Sequence, residues 1–210
     1  RLRVAAERAG LDPDGFRIVA VTKGFDVAVA RAAVDAGLHA LGENRVQEAL
    51  PKIEQLPGAE WHLVGRLQRN KARKAVGAFA VIHSVDSLEL LRRLYDDVTA
   101  AEHAPRLLLQ VNVSGEASKA GFAPDALAEV VPALSGRVVG LMTMARHDAD
   151  DGEQRHTFAT LRRLRDELQQ RAGVELPELS MGMSGDAESA VAEGATLLRI
   201  GTALFGPRPH

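Results

Sequence analysis

The sequence predicts a single-domain (β/α)8 TIM-type barrel over residues 1–210, on three observations. Eight short apolar or β-branched runs recur along the chain, segments with helical spacing separate them, and several of the runs are apolar on both faces. Parallel strands sandwiched between a barrel interior and an outer ring of helices need that two-faced character, because neither side meets water. Eight such repeats in 210 residues fit a closed barrel better than an open doubly wound sheet, the rival with a similar repeat.

A helical pattern opens the chain, and because residue 1 is an arginine inside it, the native chain is expected to begin earlier. The predicted strands are RIVAVTK (17–23), HALGEN (39–44), EWHLVG (60–65), AVIHSVD (80–86), RLLLQVNV (106–113), RVVGLMTM (137–144), ELSMGM (178–183) and TLLRIGTALFG (196–206). The helical segments between them are 26–37, 46–56, 69–76, 87–103, 123–134, 150–173 and 185–195. The longest carries Phe158, Leu161, Leu164 and Leu168 in one stripe with charges opposite, the pattern of a helix laid on a sheet. Pro13, Gly37, Gly58, Pro105, Gly121 and Gly173 punctuate the gaps, and no low-complexity linker divides the chain.

Composition narrows the function. With 46% hydrophobic residues, a net charge of −2 and both signs mixed, no field favours nucleic acid. The basic run RLQRNKARK (66–74) lacks interleaved aromatics and reads as a solvated helix face. There is no cysteine, which suits a reducing compartment, so a cytoplasmic location is expected. No apolar run reaches the ~18 residues of a membrane span, and no signal-peptide core opens the chain. His62 and His83 lie in different strands without further ligands at metal spacing, and read as packed or hydrogen-bonding side chains.

In such a barrel the carboxyl ends of the strands converge on the active face. Those ends carry Lys23, Asn44, Arg66, Ser84 or Asp86, Asn112, Thr143, the SMGMSGD segment (180–186) and RIGT (199–202). Ser180 with its glycine neighbours, and Gly201-Thr202, have phosphate-binding character: small residues let backbone N–H groups approach an oxyanion. A lysine across the mouth from a phosphate cradle, partly desolvated, suits a Schiff base with a phosphorylated aldehyde, and pyridoxal 5′-phosphate satisfies both conditions. The alternative is a Lys23 that reaches solvent or pairs with Glu43. Arg199 is a cation in a strand otherwise built for burial; facing a cofactor ring, it would leave the pyridine nitrogen unprotonated.

Six segments then carry a resemblance over nearly the whole chain: AVTKG (20–24), GENRVQE (42–48), WHLVGRLQRNK (61–71), VNVSGEASKAGF (111–122), GLMTMA (140–145) and LSMGMSGDAESAVAEGATLLRIGTALFG (179–206). They closely resemble the pyridoxal phosphate homeostasis proteins, also called the proline synthase co-transcribed family. The resemblance implies a fold-type III, alanine-racemase-like barrel without a C-terminal β-domain. Such a barrel binds pyridoxal 5′-phosphate as a Schiff base, helps to balance vitamin B6 pools, and has no established turnover. It implies Lys23 as the Schiff-base lysine, Ser180, Gly201 and Thr202 at the phosphate, and Arg199 facing the pyridine nitrogen. Asn44, Met142 and Met183 fall near the ring or the wall, and Lys119 matches a second lysine linked with cofactor exchange. Implied partners are the cofactor and, through delivery, apo-enzymes that use it; the chain is read as a monomer.

Two departures stand out. Where many members carry a second lysine and a proline soon after the first, this chain reads Lys23-Gly24-Phe25-Asp26, and a variable position of the third-strand motif is Arg66. The rival function is a pyridoxal-phosphate-dependent amino-acid racemase. A two-base racemase needs a second proton donor opposite the lysine. In alanine racemases this is a tyrosine from a further β-domain, whereas this chain ends just after the eighth strand and its one tyrosine, Tyr95, falls in a helix. A third possibility is a phosphosugar-binding barrel that uses the loops without Lys23 as a nucleophile.

Overall fold

Side-chain alternation along eight parallel strands builds a closed barrel in the computed structural model, which describes residues 1–98, 104–116 and 119–207. The strands run in sequence order around it: β1 (Arg17–Val21), β2 (Ala40–Glu43), β3 (Glu60–Leu63), β4 (Val81–Val85), β5 (Arg106–Gln110), β6 (Val138–Met142), β7 (Glu178–Ser180) and β8 (Leu197–Ile200), with β8 closing onto β1. Every predicted strand is present, each trimmed at its carboxyl end. Lys23 and Asn44 therefore stand on the loops just beyond β1 and β2.

The helices are α1 (Leu2–Arg8), α2 (Val27–Asp35), α3 (Val46–Gln55), α4 (Ala72–Val76), α5 (Leu88–Val98), α6 (Asp151–Ala172), α7 (Ala187–Ala192) and α8 (Thr202–Phe205). Three expectations are corrected. The run 196–206 is not one strand: it breaks at Gly201, and residues 202–205 form the single turn α8. The segment 69–76 begins as a 3-10 turn (Arg69–Lys71) before α4, and 123–134 is a 3-10 helix (Asp125–Ala133) interrupted by Pro132, which lacks the N–H an α-helix needs. The tail of the helix predicted over 87–103, residues 99–103, lies outside the described residues, as do 117–118 of the EASKAGF motif and 208–210.

Two cores follow from the two sheet faces. Outside the barrel, Leu41, Leu63, Ile82, Leu107, Leu109, Leu141 and Leu179 pack against helical residues such as Phe158, Leu161 and Leu168. Inside it, Val19, Ala40, Val81, Leu108, Met142 and Leu197 form a separate cluster. The interior is not wholly apolar. One end is closed by inward charges from alternate strands, with Arg17 and Arg106 each reaching Glu60 and Glu178. These four side chains, from β1, β3, β5 and β7, form a layer of the kind barrels stack along their axis. Two residues further along the same strands, the period of the pleat carries Val19, His62, Leu108 and Ser180 into the interior.

Candidate functional site

At the carboxyl ends of the strands a cavity of about 750 Å³ opens, and its wall includes Lys23, Asn44, Met183, Arg199, Gly201 and Thr202. Six of the eight sequence-predicted site residues thus share one space. A larger, open cleft of about 1060 Å³ adjoins it along α3 and the 69–71 turn and shares Asn44 and Arg66 with it. Arg66 lies at this junction and pairs with Asp86 at 3.4 Å.

Lys23 is partly buried on the loop between β1 and α2. Its backbone neighbour Thr22 is fixed from below: Thr22 Oγ1 donates to Glu43 Oε1 at 2.7 Å, and Lys52 Nζ donates to the same oxygen at 2.6 Å and to the Thr22 carbonyl at 3.0 Å. Glu43 is thereby engaged by Lys52 and Thr22. On the other side, Phe25 meets Phe205 of α8 with ring centroids 5.7 Å apart and planes tilted by 57°. That contact braces the Lys23 loop against the loop after β8. Asn44 is held close by Gly65, where any Cβ would collide with the Asn44 backbone.

Arg199 projects inward from β8 and is buried at 5% exposure, yet it reaches the cavity wall. Its guanidinium donates through one terminal nitrogen to Ser180 Oγ at 2.7 Å and through the other to the Thr143 carbonyl at 2.9 Å. Burial lowers its pKa to about 10, with Asp186 opposing, so the group is a cation at neutral pH and can only donate.

The remaining two predicted residues stand elsewhere. Ser180 is fully buried inside the barrel, level with Met142 of β6 and Leu197 of β8, and its hydroxyl is occupied by Arg199 and by His83 Nδ1 at 2.7 Å. It supports Arg199 from behind and does not line the cavity. Met142 belongs to the apolar interior cluster; the methionines on the wall are Met144 and Met183. Ser184, within the SMGMSGD segment but not singled out there as a site residue, lines the cavity four residues beyond Ser180. Its hydroxyl accepts the Ala203 N–H at 3.1 Å and so ties the loop after β7 to the loop after β8 beside Gly201 and Thr202. Gly182 permits this loop: its φ is +90° and a Cβ there would come within 2.5 Å of Ala190. Alternation within ELSMGMS was the available signal, since it points Ser180 inward and leaves Ser184 on the loop.

Lys119 also lines the cavity and is anchored to Glu116, to the Ala145 carbonyl at 3.1 Å and to Ser114 Oγ at 3.3 Å. Asn112 shapes that loop by donating to the carbonyls of Glu116 and Lys119. The chemistry of the whole set is specific: an amine at one side, a buried guanidinium at the floor, and hydroxyl-and-glycine loops at the rim. A flat ligand with an electrophilic carbonyl, an acceptor ring nitrogen and an anionic group matches these three features. No group of three or more potential metal ligands occurs among the described residues.

Comparison with known proteins gives the same direction. A family model described as "Alanine racemase, N-terminal domain" matches residues 2–209. The pyridoxal phosphate homeostasis protein of Pseudomonas aeruginosa is 45% identical over 216 residues, covering 100% of this chain and 92% of that protein. The structure of PipY from Synechococcus elongatus with pyridoxal phosphate bound superposes with a TM-score of 0.86 at 44% identity, over 97% of this chain and 98% of that one. Alanine racemase from Corynebacterium glutamicum shares the fold at a TM-score of 0.74 and 21% identity, with 60% of that chain covered. By sequence and by fold alike, the chain belongs to the pyridoxal phosphate homeostasis proteins, within the alanine racemase N-terminal-domain family.

Proposed function

We propose that the cavity binds pyridoxal 5′-phosphate with its aldehyde at Lys23, its ring nitrogen toward Arg199 and its phosphate against Ser184, Gly201 and Thr202. In this reading the chain holds the cofactor for intracellular vitamin B6 homeostasis and releases it toward apo-enzymes. The observation that carries it is the convergence of Lys23, Arg199 and the loops after β7 and β8 on one cavity. PipY, named as binding pyridoxal phosphate in the same fold, adds support.

When bound, the cofactor supplies an aldehyde that condenses with an amine and a ring that can delocalise negative charge. The chain determines how much of that capacity is used. Arg199 is a permanent donor, so a ring nitrogen meeting it acts as acceptor and stays unprotonated, which makes the ring a weak electron sink. Ser184 and Thr202 offer hydroxyls to an anion, and Gly201 leaves its backbone open to close approach. Catalytic racemisation would also require a second proton donor facing Lys23. The one tyrosine is committed elsewhere: Tyr95 donates to the Ala133 carbonyl at 2.9 Å and accepts from Ser135 Oγ at 3.1 Å. Tyr95 is therefore not such a donor in this cavity.

Titration of the ligand-free protein with pyridoxal 5′-phosphate, followed by visible absorption, tests the proposal. The wild type is expected to develop a saturable band displaced from that of the free aldehyde. Lys23→Ala is expected to lose that band while retaining weak binding through the phosphate loops. An undiminished band in Lys23→Ala, or vigorous racemisation of common amino acids by the wild type, would contradict it.

A further inference from the structure

Behind Arg199 the barrel interior holds a file of polar groups that reaches the charged layer at the opposite end. Arg199 donates to Ser180 Oγ at 2.7 Å; Ser180 Oγ lies 2.7 Å from His83 Nδ1; His83 Nε2 lies 2.8 Å from His62 Nδ1; and His62 Nε2 lies 3.2 Å from Glu60 Oε1, a close contact without hydrogen-bond alignment. Ser180, His83 and His62 are all 0% exposed. The Glu60 carboxylate is shared with Arg17 and Arg106.

The two ends fix the direction of the file. Arg199 has no acceptor, so Ser180 must accept from it. At the far end, Glu60 is held at about 2, by its contact with His62 first and by Arg17 and Arg106 as well, against the effect of burial. An ionised carboxylate 3.2 Å away repels a nitrogen lone pair, so the His62 proton sits on Nε2, on the Glu60 side, and Nδ1 is left as the acceptor for His83. His83 then donates through Nε2, and its own Nδ1 accepts the Ser180 hydroxyl proton. Burial also pushes His62 down, and His83 well down, from the ordinary histidine value, so both imidazoles are neutral. In the reverse arrangement the His62 lone pair would face the carboxylate and the Ser180 hydroxyl would lose its acceptor. These proton positions are assigned from the network, with every donor pointing away from the cavity.

We propose that His62, His83 and Ser180 are positioning residues that orient Arg199, so that groups across the barrel interior from the ligand set how Arg199 meets a ring nitrogen. The proposal rests on reading the cavity as a pyridoxal phosphate site. An Arg199 released from Ser180 would rotate toward other acceptors, and the ring nitrogen would lose its fixed donor. The effect is electronic as well as steric, because that donor holds the nitrogen unprotonated.

Two measurements on the full chain decide it. Nitrogen-15 NMR of the ligand-free wild type should show both interior imidazoles neutral at pH 7 with the proton on Nε2. An Nδ1-protonated or charged ring at either position would overturn the directed file, whatever the cofactor does. Pyridoxal 5′-phosphate titrations then compare wild type with His83→Phe, His83→Asn and Ser180→Ala. His83→Phe and Ser180→Ala are expected to weaken binding by roughly tenfold and to displace the visible band. His83→Asn, which keeps an acceptor near the Nδ1 position, should restore both. Ser180→Ala removes only a hydroxyl and serves if His83→Phe does not fold. Variants with lowered thermal midpoints but wild-type affinity and band position would overturn the positioning role. A wild type that forms no band would instead refute the cofactor reading, and the nitrogen shifts would still decide the direction of the file.

Discussion

Lys52 and Glu43 meet in the wall beneath the Lys23 loop, with the Glu43 carboxylate fully buried and the Lys52 side chain 10% exposed. Glu43 Oε1 receives both Lys52 and Thr22, whereas Oε2 has no hydrogen-bond partner among the described residues. A carboxylate so placed depends on its cation. Lys52→Met is expected to destabilise the fold by about 3–5 kcal/mol, because the charge left behind would be buried and unpaired; urea unfolding measures this. The sequence could not announce the pair, since Lys52 lies on an amphipathic helix where a lysine ordinarily reaches solvent. Lys23 and Arg199 were legible for the opposite reason: each interrupts or ends a run of apolar strand residues, where a charge needs a cause. Residue type and order do not separate Ser180 from Ser184; the pleat does, turning Ser180 into the barrel interior while Ser184 lines the cavity.

At the scale of elements, α6 shows how local chemistry sets an end. Asp150 Oδ1 accepts the Glu153 N–H at 2.9 Å at its start, and Gly173 closes it with φ +64°. Asp150→Ala is expected to cost about 1 kcal/mol in global stability, read as a lower urea midpoint with an unchanged slope. The stripe of Phe158, Leu161 and Leu168 made this helix readable, and the same period located most of its companions. The run after 196 was harder, because TALF is as apolar as a strand and only Gly201 marks the break. In β3, Glu60 and His62 face inward while Trp61 and Leu63 face the outer core, an alternation visible in EWHLVG. Expecting apolar side chains on both faces concealed it.

Across the whole molecule, the two ends of the barrel have different work. The closed end holds Arg17, Glu60, Arg106 and Glu178; the open end holds the cavity. Barrels commonly divide stability and chemistry between their ends in this way. Glu60, lowered from 4.5 to about 2, gives the closed end a pH signature. A depressed carboxylate contributes stability that is in place above pH 4.5 and lost as pH falls through about 2. The wild-type thermal midpoint is therefore expected to drop across that interval, and Glu60→Gln, with nothing to titrate there, to drop less. The barrel itself was legible from eight repeats. The file joining its ends was not, because periodicity says which side chains turn inward but not which of them meet across the interior.

The central claim, that Lys23 holds pyridoxal 5′-phosphate covalently at the open end, is tested most directly by borohydride reduction of the loaded protein followed by peptide mass mapping. The account predicts a single reduced adduct on the peptide containing Lys23, absent from Lys23→Ala. An adduct on Lys119 or another lysine, with Lys23 unmodified, would contradict it.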